Sequence, residues 1–269
     1  MSIKATLAGI FLLGYVPNAL SGVYISVGTD KSTHSYVNFF IEDDSGRRTG
    51  KLADGSEVAD IPGTRGHYGT DSMDDLVRNL PGPEAVEFHT SSFPSGRFNL
   101  VLVPSATTPY WMNLSLDYDN KRQIDLEFNG FAVAGSSVTF IFEHHPTAAT
   151  PPQILKTVTT TSIRQSLFGA FYAKQLSDMS FYSRLDKLLS KAESDAASGK
   201  NKQAADRLEQ FVRRLDAAFK KTADANDGDD PDDIKSAGSM KRFITKTALD
   251  SLSADARTLI AGLGKKSKK

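Results

Sequence analysis

Cysteine is absent from the 269 residues of this chain, so it can form no disulfide, no thiolate metal site and no cysteine nucleophile. The chain also lacks an excess of either charge, because 32 basic residues balance 32 acidic ones. Proteins that bind nucleic acids usually carry a clear positive excess, so this balance argues against that class. The motifs G-x-x-x-x-G-K-[ST], G-x-G-x-x-G, G-x-S-x-G and H-E-x-x-H are missing as well. From these absences we predict neither a nucleic-acid partner nor catalytic residues.

The apolar run near the N-terminus, Leu7 to Val16, is too short to span a bilayer, which takes about 20 residues. It follows the positively charged Lys4, and the small residues of Ala19-Leu20-Ser21 precede Gly22. These features predict a cleaved signal peptide over residues 1–22. The mature protein would then be secreted, or held at the cell surface or in the periplasm, with no membrane span after cleavage. The alternative is that this run is a buried strand or helix of the folded protein.

Residues 23–145 show apolar and polar side chains in alternation, the pattern of strands with one buried face. In the clearest run, Met112 and Leu114 alternate with Asn113 and Ser115. Turn-forming residues separate the runs at the spacing expected of an antiparallel, Ig-like β-sandwich. About seven strands are predicted, near residues 23–27, 37–42, 85–89, 97–102, 112–118, 123–128 and 138–143.

A change of period follows the proline-rich segment PTAATPPQ, residues 146–153, which we interpret as a stiff linker. Apolar residues in 154–263 recur with the spacing of one helix face, so a small α-helical bundle is expected there. Asn201 and Ser253 are placed to cap two of its helices. Residues 154–180 carry both strand and helix signals, and 264–269 form a basic tail. The predicted fold class is therefore mainly β plus α.

The first half carries motifs in a recognisable order. HSYVNFFIEDDSGRRTG is followed by LADGSEVADIPG and then by PSGRFNLVLV. This order resembles a secreted bacterial β-sandwich module of the GRRxG…IPG type, and the likeness covers residues 23–145. The chain departs from that pattern in a longer insert, Tyr68 to Pro83. The resemblance implies an accessory module that supplies no catalytic residues.

The second half carries Gly199-Lys200-Asn201 followed by Leu208, Phe211 and Val212. This turn and helix pattern resembles the FIMAH-type helical module found near the C-termini of exported bacterial proteins. The acidic insert Asp224 to Asp233 departs from the shorter connection of that family. The resemblance again implies an extracellular, non-catalytic accessory role.

Two adjacent arginines, Arg47 and Arg48, are the first candidate ligand-binding residues. Guanidinium groups suit planar anions, so this pair is able to hold a carboxylate or a phosphate. The alternative is that the arginines brace their turn by bonding carbonyl groups or a nearby carboxylate such as Asp43, Asp44 or Asp60.

Two adjacent aromatic residues, Tyr110 and Trp111, are the second candidate pair. Exposed on one face, they would form a platform on which a sugar ring can stack. The alternative is that Trp111 lies at the rim of the core, because it stands at the start of a predicted strand.

The acidic insert is the candidate calcium site, since calcium prefers clusters of oxygen ligands. It does not match the EF-hand order D-x-[DN]-x-[DN]-G, because Gly228 comes one position early. A solvated acidic loop is the alternative. The candidate ligands are Asp224, Asn226, Asp227, Asp229 and Asp230.

These features together predict a non-catalytic exported bacterial accessory protein that serves in binding, in adhesion or as a structural spacer. Its partner would be an extracellular protein or glycan, recognised by the loops at 43–68 and 68–84. One alternative is a calcium-dependent carbohydrate-binding module, with calcium as the sole cofactor. A second alternative is a divergent secreted hydrolase, which would need a cleft where histidine and carboxylates converge.

Overall fold

The computed structural model of the chain describes residues 22–29, 37–64, 67–70, 85–118, 122–225 and 243–266. Strands come first along the chain and helices second, which confirms the predicted combination of β and α structure. Residues 1–21 of the predicted signal peptide and 267–269 of the predicted tail lie outside the described residues. Most of the predicted recognition loop at 68–84 lies outside them too.

The strands form two antiparallel sheets. Each of the seven runs predicted from alternation lies within an observed strand. The five-stranded sheet has the order β5-β6-β1-β8-β9, and the six-stranded sheet has the order β11-β10-β7-β2-β3-β4. The strands are β1 Val23–Thr29, β2 Val37–Asp43, β3 Arg48–Lys51, β4 Glu57–Ala59, β5 His67–Thr70, β6 Ala85–Thr90, β7 Gly96–Pro104, β8 Thr108–Tyr118, β9 Arg122–Ala132, β10 Val138–His144 and β11 Ile154–Lys156.

The two sheets contribute to one buried core, because alternate residues of β1, β2, β6, β7, β8 and β10 point toward the other sheet. On β8 these are Tyr110, Met112, Leu114 and Leu116, which are at most 3% exposed. We call the side of each sheet that faces this core its inner face and the opposite side its outer face. From the six-stranded sheet the core takes Phe39, Ile41, Phe98, Leu100, Leu102, Phe140 and Phe142.

Four helices follow the sheets within the described residues: α1 Thr160–Tyr172, α2 Met179–Ala197, α3 Asn201–Ala225 and α4 Lys246–Lys266. Thr159 caps α1 by accepting a hydrogen bond from the Ser162 N–H at 3.0 Å. The ambiguous stretch 154–180 thus resolves into a short strand and then a helix. Helix α3 begins at Asn201 itself. Ser253, predicted as a cap, is instead buried within α4, whose first turn is capped by Thr245.

The helices share a second buried core, which is mostly aliphatic. Phe131 of β9 belongs to this core, although it lies on a strand of the five-stranded sheet. Helix α1 approaches Phe131 closely at Gly169, where an added Cβ would lie 2.7 Å from the Phe131 Cβ. A glycine at this point of α1 therefore permits the close packing of helix on strand. None of the described helices has the length and apolar character that a membrane-spanning helix requires.

Candidate functional site

The candidate pair Arg47 and Arg48 lies at the turn between β2 and β3. Asp43 organises this turn, because its carboxylate accepts hydrogen bonds from the N–H groups of Ser45 and Arg47 at 2.9 and 3.0 Å. The Arg47 guanidinium also donates to that carboxylate through Nε at 2.7 Å. Burial opposes ionisation of Asp43, but these hydrogen bonds outweigh it and hold its pKa below the ordinary value. The structure thus places Arg47 in the bracing role that was one of its two predicted interpretations.

Arg48 points to the other side of the same strand pair. Its Nε donates to Glu42 at 2.6 Å, and its guanidinium lies 4.9 Å from the centre of the Phe40 ring. This contact is a cation–π interaction, which adds to the ion pair. Both arginines therefore have carboxylate partners within the protein, while their side chains remain 49% and 46% exposed.

The candidate pair Tyr110 and Trp111 is divided between the two faces of β8, because successive side chains of a strand point to opposite sides. Tyr110 points to the inner face and is 3% exposed. Trp111 points to the outer face of the five-stranded sheet and is partly exposed. The two rings therefore do not form one platform, and Trp111 alone faces outward.

Trp111 lies against the backbone of the neighbouring strand. It is paired across β1 and β8 with Gly28, and an added Cβ at Gly28 would lie 2.2 Å from the indole ring. The indole therefore occupies the space that a side chain at position 28 would take. A ring held in this way lies along the sheet surface, which is the orientation that sugar stacking requires.

Polar side chains surround Trp111 on the outer face. The register of β6, β1, β8 and β9 places these residues in three rows that cross the sheet. His89, the first residue of one row, is exposed, and its ring centre lies 6.5 Å from that of Tyr24. The rows are His89-Tyr24-Ser115-Asp125, Glu87-Ser26-Asn113-Glu127 and Gly28-Trp111-Asn129.

Two carboxylates of this surface are held in place by hydrogen bonds. Glu87 accepts from the Tyr24 hydroxyl at 2.5 Å and from the Ser26 hydroxyl at 3.3 Å. Asp125 accepts from Ser115 Oγ at 2.6 Å and from Gln123 Nε2 at 2.7 Å. These bonds lower the pKa of Asp125, so this group stays ionised at neutral pH. An ionised carboxylate suits a hydrogen-bond acceptor, whereas a general acid needs a raised pKa.

A second feature lies at the edge strands β9 and β11, which line the same cavity. Helix α4 lies against this edge, and the cavity between it and the strands has a volume of about 600 Å³. Lys156 of β11 donates to Asp255 of α4 at 2.6 Å, and the two side chains are 15% and 7% exposed. Tyr110 lines the same cavity from the inner face of β8.

Charge and burial conflict in this cavity. Burial raises the pKa of Asp255 above the ordinary value, although the Lys156 ammonium group acts in the opposite direction. Burial also raises the pKa of Tyr110, so its hydroxyl remains protonated. Neither Tyr110 Oη nor Ser251 Oγ, which are both buried, has a hydrogen-bond partner in the part of the chain that is described.

The predicted calcium ligands fall at the end of α3 and beyond it. Asp224 lies within the last turn of that helix, and Asn226, Asp227, Asp229 and Asp230 lie outside the described residues. Among the side chains that the structure does describe, no group of three or more histidine or acidic residues is arranged to hold a metal ion.

Several residues of these two features were not identified from sequence. Alternation along β1 places Tyr24 opposite the apolar Val23 and Ile25, so its outward direction was available from the pattern. Its neighbour Glu87 could not be found in this way, because strand register depends on contacts across the sheet. Lys156 and Asp255 are 99 residues apart, and no local pattern links them.

Comparisons with known proteins found no similarity that bears on these features. No protein-family model, no curated protein and no solved structure matches this chain.

Proposed function

We propose that this chain is a non-catalytic binding protein of the exported bacterial accessory type, and that it holds a glycan on the outer face of its five-stranded sheet. The observation that carries the proposal is Trp111, whose indole lies along the sheet over Gly28 within a polar surface. An aromatic ring that is flat on a sheet offers an apolar face to a sugar ring. The partly exposed position of Trp111 leaves room for such a contact.

The polar groups around Trp111 support a ligand rich in hydroxyl groups. Asp125 and Glu87 are acceptors, while Asn113 and Asn129 can both donate and accept. A sugar chain presents both kinds of group at intervals along its length. The rows of this surface extend across four strands, so a chain of several sugars can cross them in one direction.

The finer architecture belongs to the same proposal. A shared core between two antiparallel sheets supports an Ig-like β-sandwich of the GRRxG…IPG type over residues 23–145. A shared core among four helices supports a FIMAH-type bundle over 154–263. Export through the signal peptide at 1–22 would bring the outer face to extracellular glycans. None of the residues that form the surface around Trp111 belongs to the acidic insert, so chelation of calcium should leave glycan binding unchanged.

A glycan array with purified protein tests the proposal, with Trp111→Ala as the disabling variant. Loss of the stacking ring should lower the affinity for the selected glycan about tenfold, which corresponds to about 1.4 kcal/mol. The matched control is Tyr172→Ala, which removes an aromatic ring that is 64% exposed on α1 and belongs to none of the outer-face rows. Binding that is absent from the array, or that Tyr172→Ala weakens as much as Trp111→Ala does, would contradict the proposal.

A protein partner is the second candidate, and a patch on the helices favours it. Phe168, Tyr172 and Met179 are 41%, 64% and 58% exposed, and the Phe168 and Tyr172 ring centres lie 6.2 Å apart. Exposed apolar clusters of this kind occur at protein interfaces. A second copy of the chain is the simplest partner to test. Sedimentation should show dimers at high concentration that Tyr172→Ala abolishes, and a concentration-independent monomer would exclude this candidate.

A further inference from the structure

Tyr110 contributes a buried hydroxyl group to the lining of the cavity between β9, β11 and α4. The side chain is 3% exposed, and its Oη contacts no hydrogen-bond partner among the described atoms. A buried hydroxyl without a partner is unfavourable relative to one that is bonded. Phenylalanine would fill the same space without that cost. Ser251, across the same cavity on α4, carries a second hydroxyl in the same condition.

We propose that the cavity between β9, β11 and α4 binds a small uncharged molecule with several hydroxyl groups, of the sugar or polyol class. The cavity shares Glu127 and Asn129 with the outer-face surface but does not include Trp111, and the proposed ligand does not depend on the glycan binding proposed there. Its polar end is formed by Tyr110, Ser251 and the Lys156–Asp255 pair.

The charged groups that line the cavity favour an uncharged ligand over an anion. Lys156 is already paired with Asp255 inside the cavity, and Lys246 is paired with Asp250 where the cavity meets solvent. An anion would have to compete with one of these pairs, and it would also meet the carboxylate of Glu127 in the cavity lining. A neutral hydroxyl can instead donate to Asp255 and accept from the remaining N–H groups of Lys156, which leaves their ion pair in place.

Tyr110 and Ser251 place two hydroxyl groups at the polar end of the cavity. Tyr110 Oη and Ser251 Oγ can each donate one hydrogen bond and accept others. A ligand hydroxyl that reaches either oxygen would satisfy a buried group that has no hydrogen-bond partner among the described atoms. Binding would then gain energy from that new hydrogen bond.

The apolar wall and the volume of the cavity agree with this ligand class. Phe128, which is partly exposed, lines one side, and its ring centre lies 4.9 Å from that of the fully buried Phe140. An aromatic wall suits the C–H face of a sugar ring, while the opposite polar end takes its hydroxyl groups. The volume of about 600 Å³ lies within the range of about 300–1,000 Å³ that is typical of small-molecule sites.

Titration calorimetry of the full chain with D-glucose, N-acetyl-D-glucosamine and myo-inositol tests this site. The titrations are made in the Trp111→Ala background, in which the outer-face surface is disabled. At least one probe should bind, and sodium acetate should not. Tyr110→Phe should weaken that binding about tenfold, because it removes one hydrogen bond while it keeps the ring. Ser251→Ala should have a similar effect.

Unfolding in urea without ligand provides the second measurement. Tyr110→Phe should be at least as stable as the parent protein, because the hydroxyl has no partner to lose. A less stable Tyr110→Phe protein would show that the hydroxyl has a structural partner, and this would overturn the proposal. Failure of all three probes to bind would overturn it too, as would equal affinity of Tyr110→Phe and its parent. Glycan binding by the outer face can succeed or fail independently of each of these results.

Discussion

The inner and outer faces of the five-stranded sheet are made by the same strands but differ in what each residue does. On the inner face of β8, Met112 and Leu114 are fully buried in the core shared with the six-stranded sheet. One position away on the outer face, Trp111 and Asn113 lie among polar side chains. The strand alternation thus separates residues that hold the fold from residues that remain available for binding.

The largest effect on stability is expected at the Lys156–Asp255 ion pair, where α4 lies against the edge strand β11. Asp255→Leu should destabilise the protein by about 4 kcal/mol, because it leaves Lys156 buried without a partner. The double variant Lys156→Met/Asp255→Leu should recover most of that loss, since it removes both charges. Urea unfolding measures both values. Equal stability of the single and double variants would show that the unpaired charge of Lys156 is not the cause of the loss.

One substitution on each face of β8 compares the stability effect of a buried side chain with that of a surface side chain. Met112→Ala should cost about 3 kcal/mol, because it opens a cavity in a fully buried site. Asn113→Ala, its neighbour on the outer face, should change stability by less than about 0.5 kcal/mol. Thermal or urea unfolding of the two variants gives the comparison. A large loss in Asn113→Ala would mean that the outer face also carries the fold.

Helix α1 covers part of the outer face, at Phe131. Gly169→Ala should destabilise the protein by about 1–2 kcal/mol, because the new methyl group would meet Phe131 at 2.7 Å. Gly262→Ala is the matched control in α4, where nothing lies within 4 Å of an added Cβ. That control should gain about 0.5–1 kcal/mol from helix propensity. If both variants gain stability, the close packing of α1 on the sheet is not tight.

Much of this division could be predicted from sequence. Alternation predicted the seven main strands and the burial of Met112 and Leu114, because period two is a local property of the chain. The same alternation implied that Tyr110 and Trp111 face opposite sides, so the paired platform was open to doubt from the start. The turn near Asp43 and Arg47 could also be recognised from neighbouring residues. A bracing role for Arg47 was one of the two interpretations that the sequence allowed.

The remaining features depend on contacts between distant segments. The position of Trp111 over Gly28 requires the register of β1 against β8, which side-chain pattern alone does not define. The Lys156–Asp255 pair joins a short edge strand to the last helix. Strand β11 has only three residues, which is too few for its alternation to be read against the helical signals that follow.

The smallest effect is expected from a titratable group on the inner face of the six-stranded sheet. His144 is fully buried, and its Nδ1 donates to the Pro94 carbonyl at 3.1 Å. Burial lowers the pKa of His144, although this hydrogen bond and the charge of Asp117 oppose the shift. The folded state therefore keeps His144 neutral where the unfolded chain, with a histidine pKa of about 6.5, already binds a proton.

The stability that neutral His144 contributes is fully present above about pH 6.5. It is lost as the pH falls from that value toward the lowered pKa of His144 in the folded state. His144→Asn should reduce the slope of unfolding free energy against pH in that window, while it keeps a donor toward Pro94. An unchanged slope in His144→Asn would show that this histidine titrates normally in the fold.

The proposed role of the outer face is tested most directly by the fluorescence of Trp111, because this is the only tryptophan in the chain. The glycan with the strongest array signal is added to the full protein, and emission and iodide quenching are followed together. We expect a blue-shifted emission and reduced quenching that saturate with the affinity measured by calorimetry, since a stacked sugar excludes water from the indole. Saturable glycan binding that leaves both the emission and the quenching of Trp111 unchanged would contradict the account.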